Sequence, residues 1–264
     1  NQRLNLSDIA TITRSTTATM IDHNGVMQTV GIDVPRVGNH VYDGSSWVNK
    51  GVLIEEAATN LLTSPSALAT QDVTVTAVPN TLHFTGTGTV TLSGVSTDGP
   101  LVGTGTGENN RVSLTFTPTA GTLTLTVSGT VTTAQLELGS IPTSYTEGTR
   151  GADTFNIEPA DNPLIVGGAM PSALSLAVKG TVTYADTAGV VEAVPLKWVF
   201  DGSNYIQMLL AAAGASTGQF SFVQIVGGVN DTTPSAGAAI APGVNVPFSI
   251  ASTHSANTTV LATL

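Results

Sequence analysis

Apolar and polar residues alternate with a period of two through the middle of this chain. The runs Thr89-Val90-Thr91-Leu92-Ser93, Arg111-Val112-Ser113-Leu114-Thr115-Phe116 and Thr122-Leu123-Thr124-Leu125-Thr126-Val127 each put Val, Leu or Phe on one face and mostly Thr or Ser on the other. Threonine on the wet face keeps strand preference high without adding apolar surface. Turn-forming stretches separate the runs: 86–88, Asp98-Gly99-Pro100, 103–110 and 118–121. Residues 63–150 therefore predict a jelly-roll-like antiparallel sandwich. Residues 1–62 form a different block. There Asp22-His23-Asn24-Gly25 separates two β-rich runs, 18–21 and 26–30, which is a strong hairpin signal. Asp43-Gly44-Ser45-Ser46 marks a second turn, 51–56 reads as a strand, and 57–62 as a short turn of helix or coil. Residues 151–162 read as a linker. Residues 163–264 start a second β region, with strands at 175–178, 180–184, 196–200, 205–210, 220–226 and 246–251. A hairpin turn is expected at Asp201-Gly202-Ser203-Asn204. The Ala-rich stretch 209–215 has helical propensity, but its place in a β meander favours strand and loop. The fold class expected is all-β: tandem antiparallel β-sandwich modules preceded by a small β-hairpin module.

Composition narrows the function. Charged residues are 10% of the chain and hydrophobic residues 41%, neither a disordered nor a membrane profile. No run approaches the roughly 18 apolar residues of a membrane helix. Eight Lys plus Arg against a net charge of −10 cannot form a phosphate-neutralising stripe, so no nucleic-acid partner and no membrane partner is expected. The absence of cysteine removes disulfides and thiolate metal sites. The chain begins Asn-Gln-Arg with neither Met nor a signal-like apolar run, as expected of a piece of a longer protein.

Several short motifs recur in a fixed order. They are Thr13-Arg14-Ser15-Thr16-Thr17-Ala18-Thr19, then Asp22-His23-Asn24-Gly25-Val26-Met27-Gln28-Thr29, then Val34-Pro35-Arg36. Gly51-Val52-Leu53-Ile54-Glu55-Glu56-Ala57-Ala58-Thr59-Asn60-Leu61-Leu62 completes the set. This block resembles a module found at the start of tailed-bacteriophage virion structural proteins. It departs from the family at Ala58, where Arg is usual, and at Val37, where Phe is usual. The middle block resembles the same family's carbohydrate-binding-module-like jelly roll through Ala134-Gln135-Leu136-Glu137-Leu138-Gly139-Ser140, Thr143-Ser144-Tyr145 and Thr149-Arg150-Gly151-Ala152-Asp153. Together these cover about residues 10–155. The last region resembles, more loosely, concanavalin or laminin-G lectin sandwiches, and is short for one. Residues beyond the sequence or a neighbouring chain are expected to complete it. The resemblance implies a docking role for the first module and a place on the exterior of the particle. The partners it implies are other phage structural proteins, further copies of the chain in a homotrimer, and host cell-surface glycan. A tail fibre or tail-tip appendage is the first reading, a capsid decoration or head fibre the second, and a glycan depolymerase the third.

Candidate chemistry is sparse. Glu55 and Glu56 are adjacent on an expected strand and point to opposite faces, so they cannot flank one glycosidic bond. A structural ion pair is expected instead, one carboxylate meeting Arg36 or Arg14. The four histidines, His23, His40, His83 and His254, show no metal-ligand spacing, and no nucleophile elbow is present. No catalytic residue, metal or cofactor is therefore expected. The cofactor considered is Ca2+ at the loop oxygens of Asp98, Asp201 and Asn204, too few for the usual six to eight ligands. Aromatics are scarce at 5% of the chain. Trp47 beside its turn, and Trp198, Tyr205 and Asn204 around the second hairpin, are the glycan-contact candidates. Trp198 shares an alternating face with Leu196 and Phe200, which favours a core position for it.

Overall fold

The structure, a computed structural model, describes residues 11–157, 173–184, 192–211, 217–232, 239–255 and 258–263. Among these residues the fold is all-β. The one other regular element is 3-10 helix, at Pro65–Ala67 and Glu108–Asn110. No helix among them is long and apolar enough to cross a membrane. The chain divides into two compact units. A middle unit comprises Ser15–Ala152, and an outer unit combines residues 11–14 with the chain from Asp153 onward.

The outer unit begins with β1 (Thr11–Thr13), after which the chain enters the middle unit. There β2 (Ala18–Ile21) and β3 (Met27–Val30) form the hairpin expected from the Asp22–Gly25 turn. Gly25 has φ +80°, the left-handed conformation that such a turn requires. Next come β4 (Arg36–Val37), β5 (His40–Tyr42), β6 (Trp47–Asn49), β7 (Val52–Leu53) and β8 (Ala58–Thr59). β4 pairs antiparallel with β7, and β5 with β6. The jelly-roll part supplies β9 (Gln71–Val75), β10 (Asn80–Gly86), β11 (Thr89–Gly94), β12 (Leu101–Val102), β13 (Val112–Phe116), β14 (Gly121–Ser128) and β15 (Val131–Leu138), and β16 (Thr149–Arg150) follows. Residues 57–62, expected as helix or coil, instead contain β8, which pairs with β16.

Two antiparallel sheets, β13-β10-β15 and β12-β11-β14-β9, face each other in the middle unit. Val90 and Leu92 on β11 and Leu123 and Leu125 on β14 face inward as the alternation predicts, and Leu82 and Phe84 on β10, a strand outside the expected set, complete one core with them. Removing such side chains from water contributes about 1.5–3 kcal/mol each. β10 departs from the usual half-wet pattern, because all seven of its residues are buried. Its second face, Thr81, His83 and Thr85, is polar and covered, and the cover is the candidate site below. The composition blocks 15–62 and 63–150 thus belong to one contact unit.

The outer unit resumes at β17 (Thr154–Ile157), which lies inside the stretch expected to be a linker. It pairs antiparallel with β1 and parallel with β19 (Glu192–Asp201). The Thr-Phe-Asn-Ile run alternates too briefly to stand out in sequence, and a sheet edge recruits it. The rest of the expected linker, 158–162, is outside the described residues. β18 (Ala173–Tyr184) precedes β19; β20 (Asn204–Ala211), β21 (Phe220–Val226), β22 (Val229–Thr232), β23 (Gly243–Ser255) and β24 (Thr258–Thr263) follow. One sheet runs β1-β17-β19-β20-β21-β22 and the other β18-β23-β24. Between them lies a second core of Tyr184, Leu196, Trp198, Ile206, Met208, Phe222 and Ile250, among others. The Ala-rich stretch continues β20 as strand to Ala211, and 212–216 fall outside the described residues.

Candidate functional site

The middle unit carries a chain of buried charged and polar groups, and its position follows from strand register. β4 pairs with β7 so that Arg36 lies opposite Leu53, which brings Glu55, two residues on, beside the Arg36 guanidinium. β8 pairs with β16 so that Arg150 lies opposite Ala58, delivering a second guanidinium to the same carboxylate. Arg36 Nη1 donates to Glu55 Oε2 at 2.7 Å, and Arg150 Nη1 lies 3.2 Å from the same oxygen. Ser144 closes the cluster: its backbone N–H donates to Glu55 Oε1 at 3.0 Å and its hydroxyl to Oε2 at 2.5 Å. Its Oγ also accepts from Arg36 at 2.8 Å and Arg150 at 2.9 Å. The Arg36, Arg150 and Glu55 side chains are at most 3% exposed. Burial by itself would raise the Glu55 pKa, but the charges of Arg150 and Arg36 and the Ser144 and Arg36 hydrogen bonds outweigh it and hold the group at about 2. Glu55 is thus a permanently ionised tie at neutral pH.

The network continues onto the polar face of β10. Arg150 Nη1 reaches Thr143 Oγ1 at 3.3 Å, and that hydroxyl donates to Glu137 Oε2 at 2.6 Å. Thr143 N–H donates to Glu137 Oε1 at 2.8 Å, and His83 Nε2 lies 3.0 Å from that oxygen. Arg111 donates from Nη1 to His83 Nδ1 at 2.9 Å and grips Glu108 through two contacts of 2.7 Å. An arginine has no acceptor, so His83 Nδ1 must be unprotonated and Nε2 must carry the hydrogen given to Glu137. His83 is therefore neutral. Burial lowers its pKa most; Glu137 opposes that, and Arg111 reinforces it. Arg111 also donates to the Thr133 carbonyl at 3.0 Å. Thr133 has φ +43°, a conformation that β-branched residues seldom adopt, beside an irregularity in the β10–β15 register. Asn60 and Gln135 bind the covering segment from the side: Asn60 Nδ2 donates to the Thr146 carbonyl at 2.9 Å, and Gln135 Oε1 accepts from Thr146 N–H at 2.7 Å.

The expected ion pair of the first module is thus realised in part. Arg36 and Glu55 meet as anticipated. Arg14 lies in the outer unit, where it pairs with Asp153 at 2.7 Å in a fully buried contact joining the chain as it leaves that unit to the chain as it returns. Glu56 is half-buried, and its carbonyl accepts from Arg150 Nη2 at 2.7 Å. Arg150, Ser144, His83, Glu137 and Arg111 were not expected as site residues. Glu108–Arg111 is a local pair and Ser144 and Arg150 are 6 residues apart, whereas His83 and Glu137 are 54 apart and Glu55 and Ser144 are 89 apart.

Of the glycan candidates, Trp198 is buried at 2% exposure and belongs to the outer core, so it is not a surface contact. Alternation put it on the face of Leu196, and that face turned inward. Tyr205 is half-buried, with Lys197 Nζ 4.0 Å over its ring. Asn204 supports its own hairpin: Nδ2 donates to both Asp201 oxygens at 2.9 Å and Oδ1 accepts from Gly227 N–H. Trp47 is half-buried, against Tyr42 at a centroid distance of 5.3 Å. Of the calcium candidates, Asp98 accepts from Ser96 Oγ at 2.6 Å, and Asp201 is engaged by Asn204 and Ser203. Among the described residues no three His, Cys, Asp or Glu side chains are grouped to hold a metal ion. His254 Nε2 accepts from the Ser252 hydroxyl at 2.7 Å and its Nδ1 meets Gln224 Oε1 at 3.1 Å. Both Ser252 and His254 are buried, so this pair ties one sheet of the outer unit to the other.

Comparison with family models, curated proteins and solved structures finds no match to the chain.

Proposed function

We propose that the chain is a non-catalytic structural component on the exterior of a tailed-phage particle. In this reading it is a tail fibre or tail-tip appendage that assembles as a homotrimer with other virion proteins and adheres to host glycan. The observation that supports this reading most is the convergence of the motifs that carry the phage resemblance. Val34-Pro35-Arg36, the Glu55-Glu56 segment that follows β7, Thr143-Ser144-Tyr145 and Thr149-Arg150 supply the members of one buried network. A small module with few apolar residues gains fixed geometry from such a network, because breaking one partner leaves uncompensated buried charge. Fixed geometry is what docking onto a particle demands. Trimeric display would multiply weak sugar contacts by avidity. The acid groups present fit this reading, since Glu55 is fully bonded and held ionised rather than poised to donate a proton.

Particle imaging with an antibody against the chain tests the proposal. Label on the tail tip or fibres is the expected result. Label spread over the capsid lattice would replace it with the decoration reading, and absence from purified particles would overturn it. Release of reducing sugar from host polysaccharide by the purified chain would overturn the non-catalytic part.

A further inference from the structure

Two hairpins of the middle unit bring four ring side chains together. β5 and β6 pair so that Tyr42 lies opposite Trp47, and His40, two residues before Tyr42, shares their face. The Tyr42 and Trp47 ring centroids are 5.3 Å apart and the rings are inclined at 51°. The β2–β3 turn supplies His23, whose ring lies 6.3 Å from that of His40, and Gly25, which backs Trp47. A Cβ at Gly25 would sit 2.3 Å from the Trp47 ring, so the turn backbone itself fixes the indole. Trp47, Tyr42 and His40 are half-buried and His23 is exposed.

Three of their polar atoms are uncommitted. His40 donates from Nδ1 to the Gly38 carbonyl at 2.7 Å, which fixes that proton and leaves Nε2 as an acceptor. No hydrogen bond among the described residues reaches His40 Nε2, Tyr42 Oη or Trp47 Nε1, and none of the three is a sealed-off buried atom. Rings rigidly held, partly open and carrying free donors and an acceptor are the combination that pyranose recognition uses: apolar sugar C–H groups against a ring face, hydroxyls to the polar edge. The other aromatic candidates lack it, since Trp198 is buried and one face of Tyr205 is taken by Lys197.

We propose that Trp47, Tyr42 and His40, with His23 at the margin, form a saccharide-stacking platform for neutral pyranose residues. The ligand is neutral because carboxylates adjoin both hairpins. Asp22 is half-buried and Asp43 exposed, and backbone hydrogen bonds from Val26 and Ser46 respectively favour their ionised forms. They sit in a chain of net charge −10, so an acidic sugar would be repelled. The proposal rests on the adhesion part of the reading above and assigns that adhesion to the first module.

The chain has two tryptophans, so Trp198→Phe leaves Trp47 as the sole indole reporter. Fluorescence titration of that protein with neutral trisaccharides of glucose, galactose and N-acetylglucosamine should give a saturable change with at least one, and none with trigalacturonate. Calorimetry on the full chain should show Trp47→Ala and Tyr42→Ala each weakening that binding about tenfold or more. Where Tyr42→Ala does not fold, Tyr42→Phe keeps the ring and removes the hydroxyl, and should still weaken binding. Host-cell binding is measured in parallel. Trisaccharide or cell binding that survives undiminished in these variants overturns the platform alone. A wild-type chain that binds neither trisaccharide nor cells overturns the adhesion reading with it.

Discussion

Replacing Glu55 with Gln is the sharpest probe of the buried network. The substitution preserves shape but leaves the Arg36 and Arg150 guanidiniums, both buried, without the carboxylate they share. Removing one partner of a buried pair costs about 3–5 kcal/mol. Ionisation gives an independent figure: a fall in the Glu55 pKa from 4.5 to about 2 corresponds to about 3 kcal/mol of linked stability. For a unit of this size, that is a drop in Tm of about 10 °C. The sign of the pH dependence follows from the depressed pKa. The unfolded chain takes up a proton near pH 4.5, whereas the folded carboxylate resists until about 2, so the contribution is complete above pH 4.5 and fades as pH falls towards 2. Urea unfolding of Glu55→Gln in a Trp198→Phe background, followed by Trp47 emission, reads the middle unit alone. The expected outcome is a loss of about 3 kcal/mol at pH 7 that shrinks steadily below pH 4.5. A loss under about 1 kcal/mol, the scale of a surface pair, or one that stays constant down to pH 3, would refute the reasoning.

Other consequences can be measured in the same way. His83 is neutral and buried, with its pKa lowered, so the unfolded chain binds the extra proton; middle-unit stability should decline as pH falls below 6.5 and be flat above it, and His83→Gln should remove that part of the slope. Gly25→Ala meets both a φ of +80° and the Trp47 ring, and should cost about 2 kcal/mol in urea unfolding with a shifted Trp47 emission maximum. Leu123→Ala, at a fully buried position of the jelly-roll core, should cost about 2–5 kcal/mol by the same assay.

The alternation of Val, Leu and Phe with Thr and Ser was sufficient to read β11, β13 and β14 and the all-β class, because the strand period is local and survives in any sandwich. Asp22–Gly25 was legible for the same reason: a tight turn closed by a positive-φ glycine, here Gly25 at +80°, is a property of the residues in it. The burial of β10 was illegible: Thr81-Leu82-His83-Phe84-Thr85 alternates like a half-wet strand, and only the segment that arrives opposite covers its polar face. β17 was illegible because four residues in the middle of an expected linker become a strand only when a sheet edge receives them. The arginine–carboxylate network lies between these cases. The sequence pointed to one of the Glu55-Glu56 carboxylates meeting Arg36 or Arg14, and Glu55 does meet Arg36. That Arg150 and Ser144 would join it, that Arg14 would instead meet Asp153 at a separation of 139 residues, and that His83 would bridge Glu137 and Arg111 were decided by strand register and by what each strand pairing closes off from water. The same holds for the two tryptophans: alternation put Trp198 on the face of Leu196 and a turn signal stood beside Trp47, but only the packing of the outer sheets and of the two hairpins determined that Trp198 faces the core and Trp47 stays half-buried. A local pattern dictates which way a side chain points; burial and partner choice depend on the surface that arrives opposite it.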